Sequence, residues 1–218
     1  MKAVYASTVN HADPLAALAV GEQPEPQARP FWSTVSVRAV TVNHHDVWSL
    51  QGVGLAAEQT PMILGTDAVG ILDEDIPGKH GLKAGSEVVL YTFVGTDGAG
   101  VAPGERRTIL SEKYPASLTT AEAAALGTSW LTAYSLLFDA AGIKPGDSVL
   151  IQGAGGGVST AAIQLAHAAG LEVFVTSRDA DKRAKALKLG ANAALETGAR
   201  LPRKVDAVIE SVGAATWG

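Results

Sequence analysis

The 218-residue sequence predicts an α/β protein in which a β-rich N-terminal domain, residues 1–117, precedes an incomplete doubly wound parallel sheet, residues 118–218. Three observations carry that prediction. Residues 149–170, VLIQGAGGGVSTAAIQLAHAAG, read as a short apolar strand, a glycine turn and a helix. A second strand, a charged helix and further strands follow, in the alternation that builds a parallel sheet. The first half instead holds alternating or apolar runs punctuated by proline and glycine, with no competing helical period.

In chain order, Lys2 to Ala6 reads as a strand. After a polar loop containing Pro24, Pro26 and Pro30, Ser33 to Val42 (STVSVRAVTV) alternates apolar and polar residues as a half-buried strand does. Ala68 to Leu72 and Glu87 to Phe93 are β-branched or apolar runs bounded by Gly65, Pro77, Gly85 and Gly95. Gly95 to Gly104 is a glycine-rich loop, and Thr108 to Ser111 a closing strand before Pro115. Thr119 with Glu122 three residues on forms a capping box that opens a helix over Ala121 to Leu126. A second helix is expected over Ser129 to Ala141, the two bridging the domains.

In the second domain Val149, Leu150 and Ile151 lack polar alternation, as a strand buried on both faces does. Gly153, Gly155, Gly156 and Gly157 let the backbone double back and approach a ligand closely. The helix beginning at Val158 then turns its free N–H groups toward a pyrophosphate, which makes this a dinucleotide site. The three-glycine pattern is kept only in spacing, as Gly153, Gly156 and Ser159, serine being small enough to serve. Glu172 to Thr176 is the next strand, Asp179 to Leu189 a charged helix ending at Gly190, Ala191 to Leu195 a weaker strand and Asp206 to Ser211 another. A complete doubly wound sheet has about six strands, so four before Gly218 predict a fragment.

The end of the second strand selects the nucleotide. An NAD-specific site places an acidic residue there to accept from the ribose 2′-OH. Ser177 and Arg178 stand there instead, a hydroxyl and a guanidinium suited to a 2′-phosphate, with Lys182 adding charge from the next helix; NADP(H) is the expected cofactor. Ser211 and Gly213 fall at the carboxyl end of the last strand, where the nucleotide ribose is approached.

Composition bounds the rest. With 47% hydrophobic and 18% charged residues the chain is globular, and no apolar stretch reaches membrane-spanning length. A net charge of −5 without a basic block gives nucleic acid no electrostatic footprint. Met1 to Tyr5 enter a strand directly, without a signal sequence, so a cytoplasmic location is expected. The absence of cysteine removes disulfides, thiol nucleophiles and cysteine-ligated zinc.

The order of parts, with VNHHDVWSLQG (42–52), PMILGTDAVG (61–70), LTAYSLL (131–137), PGDSVLIQGAGGGV (145–158) and LGA (189–191), resembles the medium-chain dehydrogenase/reductase superfamily. The resemblance implies a GroES-like catalytic domain followed by a Rossmann-type domain. Within that superfamily the chain is similar to the zinc-less quinone oxidoreductase and enoyl reductase branch, whose members reduce quinones or activated double bonds with NADPH. Zinc alcohol dehydrogenases carry a cysteine ligand where this chain has Asn43 and a histidine ligand where it has Thr66. Amide and hydroxyl do not replace thiolate and imidazole around zinc, so no metal is expected, and adjacent His44 and His45 on a strand or loop would point apart.

Without a metal, the enolate or hydroquinone anion formed by hydride transfer needs a hydrogen-bond donor or a proton. Candidates are the Asn43 amide, placed first, His44 or His45, and Tyr91. By resemblance, Asn43 and Asp46 match the branch's N-x-x-D motif lining the cleft, and Thr132 matches a threonine beside the nicotinamide. The expected activity is NADPH-dependent reduction of a quinone or α,β-unsaturated carbonyl by a protein that is a homodimer at full length. The alternatives are an alcohol dehydrogenase-like enzyme and a catalytically silent NADP(H)-binding protein.

Overall fold

A computed structural model describes residues 1–26, 33–75, 82–93, 107–112 and 117–213. The chain divides into two compact units, Met1–Thr128 and Ser129–Gly218.

The first unit carries two antiparallel sheets. Strands β1 (Lys2–Ala6), β2 (Leu18–Glu22) and β4 (Met62–Ile63) pair in the order β2-β1-β4, while β3 (Val35–Val40), β5 (Asp67–Leu72), β6 (Glu87–Phe93) and β7 (Arg107–Glu112) pair in chain order. β5 is central and buried on both faces, which is why it reads as an apolar run. Its Ala68 and Leu72 pack with Leu82, Val88 and Leu90 on one side. On the other, Val69 and Val89 pack against Ala123 and Ala124 of the helix α2 (Thr120–Ala124). The capping box read at Thr119 is present, the Glu122 carboxylate accepting the Thr119 N–H at 2.8 Å. Because α2 packs on β3, β5 and β6, it stays with the first unit. The units therefore part after Thr128, not at the 117/118 boundary expected from sequence.

Three sequence expectations need correction here. His44 and His45 stand on neither strand nor loop but open the helix α1 (His44–Leu50). The cause is a local cap: the Asp46 carboxylate accepts the Asn43 N–H at 2.8 Å. β2 and β4 were not anticipated, β2 lying in what reads as loop; its backbone pairs along the whole of β1. The helix expected over 129–141 is α-helical only in α3 (Leu131–Tyr134), with wider π-type turns at Leu126–Trp130 and Ser135–Ala140. The loop 95–104 lies outside the described residues.

The second unit is a parallel sheet with helices between strands: β8 (Ser148–Gln152), α4 (Gly157–Ala168), β9 (Glu172–Thr176), α5 (Ala180–Lys188), β10 (Ala193–Leu195) and β11 (Ala207–Glu210). The order β10-β9-β8-β11 is that of the first four strands of a Rossmann sheet, reversing direction between β8 and β11. Val149, Ile151, Val173 and Val175 face Ala161, Ala162, Ile163 and Ala166 in its core. Small residues on α4 let it lie close to β8 and β9. No helix among the described residues is long and apolar enough to cross a membrane.

Candidate functional site

The glycine turn follows β8 directly. Gly153 and Gly155 have φ of +81° and +93°, a region only glycine enters without strain. The turn is also crowded: a Cβ at Gly153 would stand 2.7 Å from Val212 Cγ2, and one at Gly155 2.8 Å from Lys182 Cδ. At Gly157 a Cβ would collide with the Ser129 hydroxyl. Gly156 caps α4, and its N–H donates to Ser159 Oγ at 3.1 Å. The N–H groups of Gly157 and Val158 meet no acceptor among the described residues, and they open α4 as an anion site requires. Ser159 is buried, its hydroxyl also donating to the Gly156 carbonyl. It completes the cap as well as filling the small-residue position.

The strand-end residues gather round this turn. Residues 211–213 follow β11, and the Glu210 carboxylate accepts the Val212 and Gly213 N–H groups at 2.7 and 2.9 Å. Ser211, exposed, and Gly213, with φ of +92°, thus lie beyond the strand at the reversal point of the sheet, and Val212 between them lies against Gly153. At the end of β9, Ser177 is buried and its hydroxyl accepts the Asp179 N–H at 3.2 Å. Arg178 is exposed and makes no hydrogen bond or ion pair among the described residues. Of the two carboxylates close in sequence, Asp179 is turned to α5, accepting the N–H groups of Asp181 and Lys182 at 2.8 and 3.1 Å, and Asp181 is exposed in the first turn of α5. Those bonds, that of Lys182 foremost, hold the Asp179 carboxyl below the ordinary value of 3.8. The Lys182 stem lies along Gly155. A groove of about 360 Å³ between turn, α4 and α5 is rimmed by Lys182, Lys185 and Lys188 over Ala154, Ile163 and Ala186. Thr132 is half-buried in α3, which packs against α4.

Sequence reading missed Arg183, whose Nη1 donates to the Ser177 carbonyl at 2.6 Å and whose Nη2 pairs with Glu196 at 3.3 Å. It braces the loop that carries Ser177 and Arg178. Only its place one residue beyond Lys182 on the charged helix hinted at it.

The first unit holds a second polar cluster. Asn43 Nδ2 lies 3.0 Å from Thr41 Oγ1, 3.1 Å from Thr66 Oγ1 and 3.0 Å from Asp67 Oδ2. Asp67 also accepts from Thr41 Oγ1 at 2.7 Å, from the Thr128 N–H at 2.7 Å and from Thr128 Oγ1 at 2.5 Å. Thr66 and Thr128 hydroxyls meet at 2.9 Å. Asp46 is buried, and besides capping α1 it accepts the Gly65 N–H at 2.9 Å. Asn43 and Asp46 are thus tied into the scaffold on the sides the structure describes. Both histidines are exposed, and the His44 ring meets Trp48 edge-on at 5.2 Å. Tyr91 pairs with Asp67 across β5 and β6, and its side chain lies outside the described residues. Asp67, Thr41 and Thr128 were absent from the sequence reading; the signal available was an acidic residue opening the buried run DAVGIL.

As for metal, no group of three or more histidine, cysteine or acidic residues among the described residues could hold an ion. The Asn43 amide donates to the Thr66 hydroxyl, a pair that does not fit tetrahedral zinc.

Comparison with known proteins bears on both units. Residues 29–128 match the family described as alcohol dehydrogenase GroES-like domain, and residues 157–218 that described as zinc-binding dehydrogenase. A quinone oxidoreductase from Coxiella burnetii superposes with a TM-score of 0.82 at 26% identity, over 99% of this chain and 70% of that one. The Escherichia coli quinone oxidoreductase, solved in complex with NADPH, gives 0.72 at 27% identity over 89% and 58%. A mycocerosic acid synthase-like polyketide synthase of Mycobacterium tuberculosis is 37% identical over 149 residues, 68% of this chain. The chain spans only 7% of that synthase's length.

Proposed function

Because the chain belongs to the medium-chain dehydrogenase/reductase superfamily, with its two domain types in that family's order, we propose that it acts as an NADPH-dependent, zinc-independent reductase of quinones or α,β-unsaturated carbonyls. The family matches and the quinone oxidoreductases it resembles support an oxidoreductase of this family that uses a nicotinamide cofactor. The observation that carries the finer reading is the loop after β9. Arg178 is exposed there, Lys182 lies against the glycine turn, and Asp179 is occupied by the cap of α5. The loop thus presents Arg178, with Lys182 beyond it, to a 2′-phosphate, its own carboxylate Asp179 being held by the cap and the exposed Asp181 standing in the first turn of α5.

The N–H groups opening α4, with Gly153 to Gly157, Val158 and Ser159, would hold the pyrophosphate, and Ser177, Arg178 and Lys182 the adenosine phosphate. Thr132, Ser211 and Gly213 are assigned to the nicotinamide half. When bound, the cofactor supplies the hydride. Reduction of a quinone to a hydroquinone then takes up one proton, and reduction of an enone places one on the α-carbon. Tyr91 and His44 are the proposed proton donors, with Asn43 and Asp46 shaping the substrate side. Zinc independence rests on the donor chemistry at Asn43 and Thr66 and on the absence of cysteine.

Parallel fluorescence titrations with NADPH and NADH test the cofactor, and oxidation of NADPH against a panel of quinones, enones and an enoyl thioester tests the reaction. Tighter NADPH binding is expected, with Arg178→Ala weakening NADPH about tenfold or more and leaving NADH unchanged, since a charge-assisted contact contributes about 1.5–3 kcal/mol. Equal binding of both nucleotides would defeat the NADP assignment. Stoichiometric zinc in the purified active protein would favour the alcohol dehydrogenase-like alternative.

A further inference from the structure

Asp67 is the most deeply buried ionisable side chain among the described residues, 2% exposed, and all of its hydrogen-bond partners there are neutral. A carboxylate removed from water without a cation is costly unless hydrogen bonds saturate it. Here both oxygens are served: Oδ1 by the Thr128 N–H and hydroxyl, Oδ2 by the Thr41 hydroxyl and the Asn43 amide. Asn43 Nδ2 has three acceptors within reach and two protons to give. Of the three, Asp67 alone is charged. It therefore decides which way the carboxamide faces, because a flipped amide would turn its oxygen onto the carboxylate.

We propose that Asp67 is a positioning residue: it sets the orientation of the Asn43 carboxamide and the Thr128 hydroxyl, and so the geometry of the polar cluster this unit offers to a substrate. The role in turnover rests on the reductase reading above. The orientation of Asn43 does not.

Asp67→Asn keeps the side chain's size but replaces one acceptor by a donor, opposing either the Thr41 and Asn43 donors or the two from Thr128. Turnover of a quinone or enone is expected to fall at least tenfold, with KM changing less than threefold and NADPH affinity unchanged. Side-chain amide exchange followed by NMR gives an activity-independent readout. In wild type the Asn43 amide protons should exchange at least tenfold more slowly than those of exposed Asn192. In the Asp67→Asn protein they should approach the Asn192 rate while the backbone amides of Val69 and Val89 keep their protection. Should that variant fail to fold, Thr41→Val and Thr128→Val each remove one donor and should each accelerate Asn43 exchange or lower turnover at least threefold. Turnover within twofold of wild type in a folded Asp67→Asn protein, or Asn43 amides exchanging as fast as those of Asn192 in wild type, would overturn the proposal. A wild-type protein that reduces nothing in the panel would defeat the reductase reading, and the exchange rates would then decide Asp67 alone.

Discussion

At the scale of single residues, packing sets sharper demands than the sequence announces. Gly70 lies in the middle of β5 with an ordinary backbone, so nothing in its conformation asks for glycine. Space does: a Cβ there would stand 2.5 Å from Val35 Cγ1 and 2.7 Å from the Ser36 carbonyl oxygen. The crowding coincides with the register shift between Val37 and Ala39, where β3 bends across β5. A side chain can rotate aside, but a backbone carbonyl in a paired strand yields only by moving the strand. Gly70→Ala is therefore expected to cost about 1–3 kcal/mol, read as a lower denaturation midpoint with an unchanged slope. A midpoint equal to wild type would mean that β3 moves freely at its bulge. The same limit on legibility applies to Asn43. Its residue type and its spacing from Asp46 are visible in sequence, but its engagement with Thr41, Thr66 and Asp67 brings together positions up to 24 apart. No local pattern encodes such a meeting.

Elements whose cause is local were legible, and those whose cause is a distant partner were not. β6 and β9 match their expected bounds residue for residue, because each is a β-branched or apolar run between glycines or polar turns. α5 follows from Asp179 at its N-cap and Gly190 beyond its end. β2 exists through its pairing with β1, and α1 through a box whose aspartate reads in sequence equally as a site residue and as a cap. The cap of α5 also yields a pH dependence. Its N–H bonds, that from Lys182 first, lower the Asp179 pKa below 3.8, so the folded state binds its proton more weakly than the unfolded state. The stabilisation is complete above the ordinary value and is lost as pH falls through the lowered one. The melting temperature of wild type should exceed that of Asp179→Ala by a constant margin from about pH 8 to pH 5, and the margin should shrink below about pH 3.8. A margin that grew on acidification would contradict the cap.

At the scale of the whole molecule, the two-part architecture was legible because the halves use different periods, alternation in one and strand–helix repetition in the other. The division point was not, since α2 looks like a linker in sequence and is held to the first unit by Val69 and Val89. The strand order β10-β9-β8-β11 puts the glycine turn and the residues after β11 at one end of one sheet. Its core draws on residues of the second unit alone. A nucleotide bound at that turn should consequently stabilise the second unit first. At 100 times its dissociation constant a ligand contributes about 2.7 kcal/mol, which corresponds to roughly 100-fold slower exchange for amides that open only with the unit that binds it. Hydrogen exchange with and without NADPH should show that slowing in β8, α4 and β9, while amides of β5 and β6, whose cores hold no residue of the second unit, keep their rates. Equal slowing in both sheets would show that the two cores open as one cooperative unit, and the Asp67 cluster would then be energetically coupled to cofactor binding.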